Sequence, residues 1–161
     1  MSIPLWAETL ELLGDPDTVK VLATVDANGD PHAVVKKSLH AADDGKIHFL
    51  EILEASESSR NLTASLWFDR RVAILLFGKE GRQVQIKGKP VKYHISGHLF
   101  LDHYVKLRER LGDADLAGVW VIDPEEIIDE SFSVREARHR AEHPSFIHLD
   151  RIAKPLGETG A

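Results

Sequence analysis

The chain has 161 residues, of which 43% are hydrophobic, and this is enough apolar material for one ordinary core. Its 20 Lys and Arg against 26 Asp and Glu give a formal net charge of −6, which disfavours broad binding to nucleic acid or anionic membranes. The absence of Cys excludes disulfides, thiolate nucleophiles and Cys-ligated metals. The start, MSIPLWAETLELL, lacks a basic region, and no apolar run reaches the roughly 20 residues of a membrane span. We therefore expect one cytoplasmic domain, residues 1–161, without nucleic-acid or membrane partners.

Three short strands are predicted in the first third of the chain. Val19–Val25 is rich in β-branched residues, and the following turn, Asp26–Asp30, contains Asn-Gly, which tolerates the positive φ angles of a tight hairpin. A second strand is predicted at Pro31–Leu39. After the turn at Asp43–Gly45, a third strand is predicted at Lys46–Leu50. Their order predicts an antiparallel meander.

Helical and strand-like segments alternate through the rest of the chain. Capping residues and apolar spacing predict four helices: Ser2–Gly14, Ser56–Phe68 with Leu62, Leu66 and Trp67 inward, Ser96–Leu111, and Ser133–Glu142. Further extended segments are predicted at Val72–Phe77, Arg82–Gly88, Gly118–Ile128 and Phe146–Ile152. Strict alternation in the second of these predicts Val84 and Ile86 on one face, with Gln83, Gln85 and Lys87 on the other.

These elements predict a mainly β domain with α-helical additions. Six or seven short antiparallel strands favour a closed sheet, because closure removes exposed sheet edges. We expect a split antiparallel β-barrel of Greek-key type over about residues 18–130, with flanking helices. A C-terminal helix and an extended tail would occupy residues 131–161.

The order of several segments resembles one protein family. These segments are LATVDANGDPHAVV, GKIHFL, SSRNL, RRVAILLF and GRQVQIKGKPV, and they cover roughly Val19 to Lys92. In this order they resemble the FMN-binding split-barrel proteins related to pyridoxamine 5′-phosphate oxidase. The resemblance implies a homodimeric oxidoreductase that holds FMN in a groove between its subunits and uses a small-molecule substrate or electron donor. A deazaflavin or haem remains an alternative cofactor.

The resemblance also implies which residues contact the flavin. They lie on the second strand, at the end of the third strand, at the start of the following helix, and on a neighbouring strand. The implied positions are Val34, Val35, Lys36, Lys37, Leu50, Glu51, Ser56, Ser58, Ser59, Arg60, Asn61 and Gln83. Independently of the resemblance, a helix that begins near Ser56 offers free N–H groups and the positive end of its dipole to a phosphate. The serine hydroxyls and the Arg60 guanidinium add further donors.

The residue at position 57 favours a different function. When the chain is aligned with the family on Asn61, the family's basic phosphate-binding residues fall on Glu57 and Ser58. A carboxylate therefore stands where a cation is usual. The alternative hypothesis is a non-catalytic binding module that has lost the flavin.

Histidines carry two other hypotheses. His94, His98 and His103 lie around the start of the predicted third helix, where one of them could ligate haem iron; capping and surface roles are the alternative. The string His139-Arg140-Ala141-Glu142-His143 matches the His-x-x-Glu-His motif of some zinc proteases. Because its surroundings are highly charged and Pro144 follows at once, we interpret it as a solvated helix. No metal site and no nucleophilic triad are predicted, so catalytic residues stay unassigned.

Overall fold

The computed structural model of the chain describes residues 1–145. Within this range the strands are β1 Val19–Val25, β2 Pro31–Val35, β3 His40–Ala41, β4 Ile47–Glu51, β5 Val72–Phe77, β6 Gln83–His94 and β7 Gly118–Asp129. The α-helices are α1 Ala7–Gly14, α2 Glu57–Trp67, α3 His98–Leu111 and α4 Phe132–Glu142. None of these helices is both long and apolar enough to cross a membrane. The predicted extended segment Phe146–Ile152 lies outside the described residues.

All seven strands form one antiparallel sheet in the order β2-β1-β5-β6-β7-β4-β3. The edge strands β2 and β3 are separated in sequence only by residues 36–39. A flat seven-stranded sheet would hold its edges roughly 29 Å apart. Five extended residue steps reach only about 17 Å. The sheet must therefore curl into a partial barrel, which confirms the expected split-barrel architecture.

The predicted meander of the first three strands is wrong. The hairpin of β1 and β2 is confirmed, but β4 pairs with β3 and β7 on the other side of the sheet. The predicted strand Pro31–Leu39 is a strand only as far as Val35, because residues 36–39 cross to the other edge of the sheet, where β3 begins at His40. At one edge the Lys36 N–H donates to the Lys20 carbonyl, and at the other the Leu50 N–H donates to the Ser38 hydroxyl.

The other elements predicted within residues 1–145 are present, most of them with shifted ends. β1 and β5 have the predicted bounds. α1 begins five residues later than expected, because the Ile3 N–H donates to the carbonyl of Pro124 and holds the first residues beside β7. α3 begins after Gly97, which has a φ of 90°. β6 continues to His94, because its second half also pairs with β7.

Two apolar layers position the strands. Inside the curl, Leu22, Ile74 and Trp120 pack with Leu62 of α2. Outside it, α3 covers β7, where Leu107 packs against Val119. The first five residues of β7, Gly118–Ile122, are therefore buried on both faces.

The side chains predicted to face inward from α2 do not all do so. Leu62 is fully buried, whereas Leu66 is exposed and Trp67 is 80% exposed. The exposed pair lies at the C-terminal end of the helix, where nothing in residues 1–145 covers it.

Candidate functional site

The end of β4 and the start of α2 form the region implied for the phosphate, which we call the phosphate corner (Glu51 and residues 56–61). α2 begins at Glu57 because Ser56 is its N-cap, with a hydroxyl that accepts a hydrogen bond from the Ser59 N–H at 3.1 Å. The backbone N–H groups of Glu57 and Ser58 have no acceptor in residues 1–145. The corner therefore keeps two donors and the positive end of the helix dipole available.

A buried carboxylate lies beneath this helix start. The Glu51 side chain is 2% exposed and accepts hydrogen bonds from the Leu53 N–H and the Ser56 hydroxyl, both at 3.0 Å. The ammonium of Lys36 lies 3.5 Å from the same carboxylate and 5.5 Å from the centre of the Phe49 ring. Lys36 thus neutralises Glu51 inside the barrel.

The remaining residues of the corner have mixed roles. Ser58, Ser59 and Asn61 are buried, and the Asn61 amide donates to the Thr24 hydroxyl at 3.0 Å, which ties α2 to β1. Glu57 lies 3.3 Å from the ring of His32. Arg60 is exposed and forms no ion pair with residues 1–145. An anion would therefore meet two free N–H groups and one free guanidinium, against the negative charge of Glu57.

The implied flavin contacts on β2 and β6 are divided between the two faces of the sheet. Val34 and Lys36 point into the barrel, since Val34 is paired with the buried Leu22. Val35 points outward and is 50% exposed. Gln83 also points outward, because strict alternation places it opposite Val84, and this confirms the predicted faces of β6.

Leu50 and Lys37 lie near α3 rather than at the corner. Leu50 packs against the apolar layer that α3 forms with β7. Lys37 is on the wall of a cavity of about 420 Å³, together with Lys106 and Arg110. A single copy of the chain thus does not bring the twelve implied residues into one pocket.

The outer surface of β2, β1 and β5 is apolar. Cross-strand pairing puts Val35, Val21 and Leu75 in one row, and Ala33, Ala23 and Ala73 in the next. We call this surface the apolar sheet face; its members are Val19, Val21, Ala23, Val25, Ala33, Val35, Ala73, Leu75 and Phe77, all exposed or half-buried. Gln83 borders it as the cross-strand neighbour of Phe77.

A second candidate site lies between α3 and the β3–β4 hairpin, around a cavity of about 720 Å³. His94 and His103 line this cavity, whereas His98 is exposed at the first residue of α3. His40 and His48 also line it. Burial lowers the pKa of His40, His94 and His103 below the ordinary value of a histidine, which favours neutral rings.

The His-x-x-Glu-His string lies in exposed residues at the end of α4. His139 belongs to the helix and His143 follows its last residue. Their ring centres are 5.3 Å apart. In residues 1–145, no third potential ligand accompanies them in a metal-binding arrangement.

No protein-family model and no curated protein matches the chain. Solved structures do match it. The HupZ protein of Group A Streptococcus has a TM-score of 0.64 and 19% identity over 80% of this chain and 95% of its own. A candidate pyridoxamine 5′-phosphate oxidase from Lactobacillus delbrueckii has a TM-score of 0.60 and 21% identity over 78% and 93% of the two chains. The fold is the split barrel of the pyridoxamine 5′-phosphate oxidase-like proteins.

Other split barrels with this similarity differ in the cofactor that their names give. An FMN-binding protein from Syntrophomonas wolfei has a TM-score of 0.56 and 14% identity over 76% of this chain and 88% of its own. Further matches are an F420 reductase and the heme storage protein HutZ. At these identities the comparison establishes the fold, and the choice of cofactor depends on the residues of this split barrel.

Sequence reasoning missed two residues of the second site, His40 and His48. They flank the turn at Asp43–Gly45, and hairpin pairing places them directly opposite each other. A symmetric pair of histidines around a tight turn is a signal that the sequence carries. Their proximity to His103 is not, because it depends on how α3 packs on the sheet.

Proposed function

We propose that this split barrel binds FMN between two copies of the chain and acts as a flavin-dependent oxidoreductase on a small-molecule substrate or electron donor. The observation that carries the proposal is the division of the implied flavin contacts between two faces of the sheet. Lys36 and the phosphate corner lie at the inner face, whereas Val35 and Gln83 lie on the outer one. A pocket that uses both sets needs a second copy.

The apolar sheet face gives the second copy a place to pack. Val35, Phe77 and Val19 are 50%, 44% and 43% exposed, and burying them on a partner would be favourable at about 25 cal/mol per Å² of apolar surface. A two-fold dimer uses the same patch on both copies. Gln83 borders the patch, so pairing on this face would bring its amide to the edge of the interface.

The phosphate of FMN would be held at the start of α2. The free N–H groups of Glu57 and Ser58 and the guanidinium of Arg60 supply its donors. Lys36 offsets the charge of Glu51, which leaves Glu57 as the one opposing carboxylate of the corner. A bound flavin supplies hydride or electron transfer, and the chain supplies its position and electrostatic surroundings.

Titration with FMN and with riboflavin tests this arrangement. Flavin fluorescence should show FMN binding, and Arg60→Gln should weaken it by about tenfold or more, since a hydrogen bond to a charged group contributes about 1.5–3 kcal/mol. Riboflavin lacks the phosphate, so its binding should not change. Arg70→Gln, beyond the other end of α2, is the matched control. A protein that ignores added FMN would reject the proposal and favour the non-catalytic module.

Light scattering tests the predicted homodimer. Leu75→Glu places a charge in the middle of the apolar sheet face and should give monomers that bind FMN weakly. Leu101→Glu, on the exposed side of α3, should remain dimeric and bind FMN normally. If both variants remain dimeric, the subunits pair through another surface.

Haem is a second candidate, favoured by a histidine on the wall of a large cavity. His103 projects from α3 into the cavity of about 720 Å³, and the heme storage protein HutZ shares the fold. Haem binding through His103 would give a Soret band that His103→Ala abolishes and His98→Ala retains. A wild-type protein without a Soret band after haem addition would exclude this function.

A further inference from the structure

Three histidines from β3, β4 and α3 converge at the large cavity. His40 and His48 are cross-strand neighbours, and His103 faces them from α3. The ring centre of His40 lies 5.9 Å from that of His48 and 5.4 Å from that of His103. One ring nitrogen of each residue lies within 4.8 Å of one from each of the others. We propose that this histidine cluster (His40, His48 and His103) binds one divalent transition-metal ion of the zinc type.

Hydrogen bonds fix which nitrogen of two of the rings carries a hydrogen. His40 Nδ1 lies 2.7 Å from the carbonyl of Ser38, and His48 Nε2 lies 3.0 Å from the carboxylate of Asp44. Both partners only accept, so these two ring nitrogens carry the hydrogens. The other nitrogen of each ring is the one that a metal ion would use. A carbonyl or carboxylate behind a histidine is the usual outer shell of a metal site.

One of these lone pairs is otherwise costly to the fold. Nδ1 of His48 is buried and has no hydrogen-bond partner in residues 1–145, and the side chain is 4% exposed. A buried polar atom without a partner costs about 1–3 kcal/mol. A metal ion within bonding distance would satisfy that nitrogen.

The spacing of the rings fits a small ion. Tetrahedral coordination at about 2.0–2.1 Å puts the nitrogens roughly 3.3 Å apart. In the structure these nitrogens lie within 4.8 Å of one another, so each pair must approach by about 1.5 Å or less to bind one ion. His40 and His103 are only half-buried, which leaves their rings room for this adjustment, while the buried ring of His48 stays in place.

The surroundings tolerate a cation and keep one coordination position open. Three aspartates and three lysines line the cavity, so its wall carries balanced charge (Asp43, Asp44, Asp102, Lys46, Lys92 and Lys106). Three protein ligands beside an open cavity match zinc sites that keep a fourth position for water or a small anion. Haem would use the cluster poorly, because the porphyrin occupies four positions of its iron and leaves at most two for histidine.

The test uses chelator-treated, flavin-free protein and Zn²⁺ alone, and is therefore independent of the proposed flavin. A His139→Ala/His143→Ala background removes the pair at the end of α4. Calorimetry should show one equivalent of Zn²⁺. Asp44→Asn should weaken binding by about 10–100-fold, and His103→Gln by more than that. His94→Ala, in the same cavity but outside the cluster, should bind as the background protein does.

Two results would overturn the proposal. One is a background protein that binds no Zn²⁺; the other is equal affinity in the background protein and in His103→Gln. The visible spectrum of Co²⁺ bound to the background protein tests the site without any change to the three histidines. Intense bands of tetrahedral Co²⁺ would support the site, and the weak bands of octahedral Co²⁺ would refute it. Zn²⁺ should also raise the melting temperature of the background protein and leave that of His103→Gln unchanged.

Discussion

Replacing Glu51 with Gln removes one negative charge beneath α2 while keeping the size of the side chain. The amide oxygen of the variant still accepts the Leu53 N–H, but its NH₂ group faces the Ser56 hydroxyl and the Lys36 ammonium, whose present distances to the carboxylate are 3.0 and 3.5 Å. Each hydrogen bond to a charged group contributes about 1.5–3 kcal/mol. Because Lys36 is 16% exposed and keeps some solvent, we expect a loss of about 2–4 kcal/mol in the free energy of unfolding.

The same substitution should strengthen flavin binding. In this variant the Lys36 ammonium no longer has its partner carboxylate, so the phosphate corner gains one net positive charge. Two unit charges in contact attract each other by roughly 1 kcal/mol in water and 4 kcal/mol near a protein surface. We therefore expect FMN to bind Glu51→Gln about tenfold more tightly than the wild type. Riboflavin affinity should not change.

Thermal unfolding and flavin fluorescence measure the two effects separately. The melting temperature should fall by roughly 5–15 °C for a chain of this length. Glu54→Gln removes the same charge from an exposed position of the same loop and should leave both measurements unchanged. An unchanged melting temperature in Glu51→Gln would refute the buried network. Weaker FMN binding would refute the phosphate corner.

A double-mutant cycle with Lys36→Met isolates the ion pair from the other contacts of Glu51. If the ammonium and the carboxylate stabilise each other, the losses of unfolding free energy in the two single variants should add up to more than the loss in the double variant. Strictly additive losses would mean that the 3.5 Å pair contributes nothing to stability.

Two further predictions concern the barrel itself. A methyl group at Gly118 would overlap the ring of Tyr93, so Gly118→Ala should lower the free energy of unfolding by about 1–3 kcal/mol in chemical denaturation. Gly14→Ala is the control, because no atom lies within 4 Å of the added carbon, and it should leave the free energy of unfolding unchanged. Equal denaturation midpoints for the two variants would contradict the packing of Tyr93 on Gly118. The Arg71 guanidinium, 2.8 Å from Glu125, lowers the pKa of that carboxyl. The pair therefore stabilises the fold at pH values above the ordinary pKa of a carboxyl group. This contribution disappears as the pH falls through the pKa of Glu125. Arg71→Ala should return the pKa of Glu125 toward its ordinary value in an NMR titration. It should lower the free energy of unfolding by less than about 1 kcal/mol at neutral pH, because the pair is partly exposed. If the variant is equally destabilised in acid, the ion pair with Glu125 is not the cause.

Local sequence signals predicted the elements well where neighbouring residues decide them. The hairpin of β1 and β2 follows from an Asn-Gly turn between two strand-like runs, and its pairing of Val25 with Pro31 is present. The N-terminus of α2 follows from Ser56, whose hydroxyl caps the helix. In both cases the interacting groups are only a few residues apart, so short-range chemistry is sufficient.

The position of β4 could not be predicted in the same way. It follows β2 and β3 in the chain, so a meander is the simplest expectation from the sequence. In the structure, however, β4 forms most of its strand pairing with β7. That pairing joins residues about seventy positions apart, such as Phe49 with Trp120. It depends on the curl of the whole sheet and on the crossing at residues 36–39.

The sequence by itself determined the alternation of strands and helices, the inward and outward faces of β6, and the capped start of α2, because periodicity and turn chemistry are local. Only the tertiary structure decided that Glu51 lies beneath that helix start with Lys36, and that His103 meets His40 and His48. These groups come from distant segments, and the closure of the sheet and the packing of α3 on its outer face bring them together.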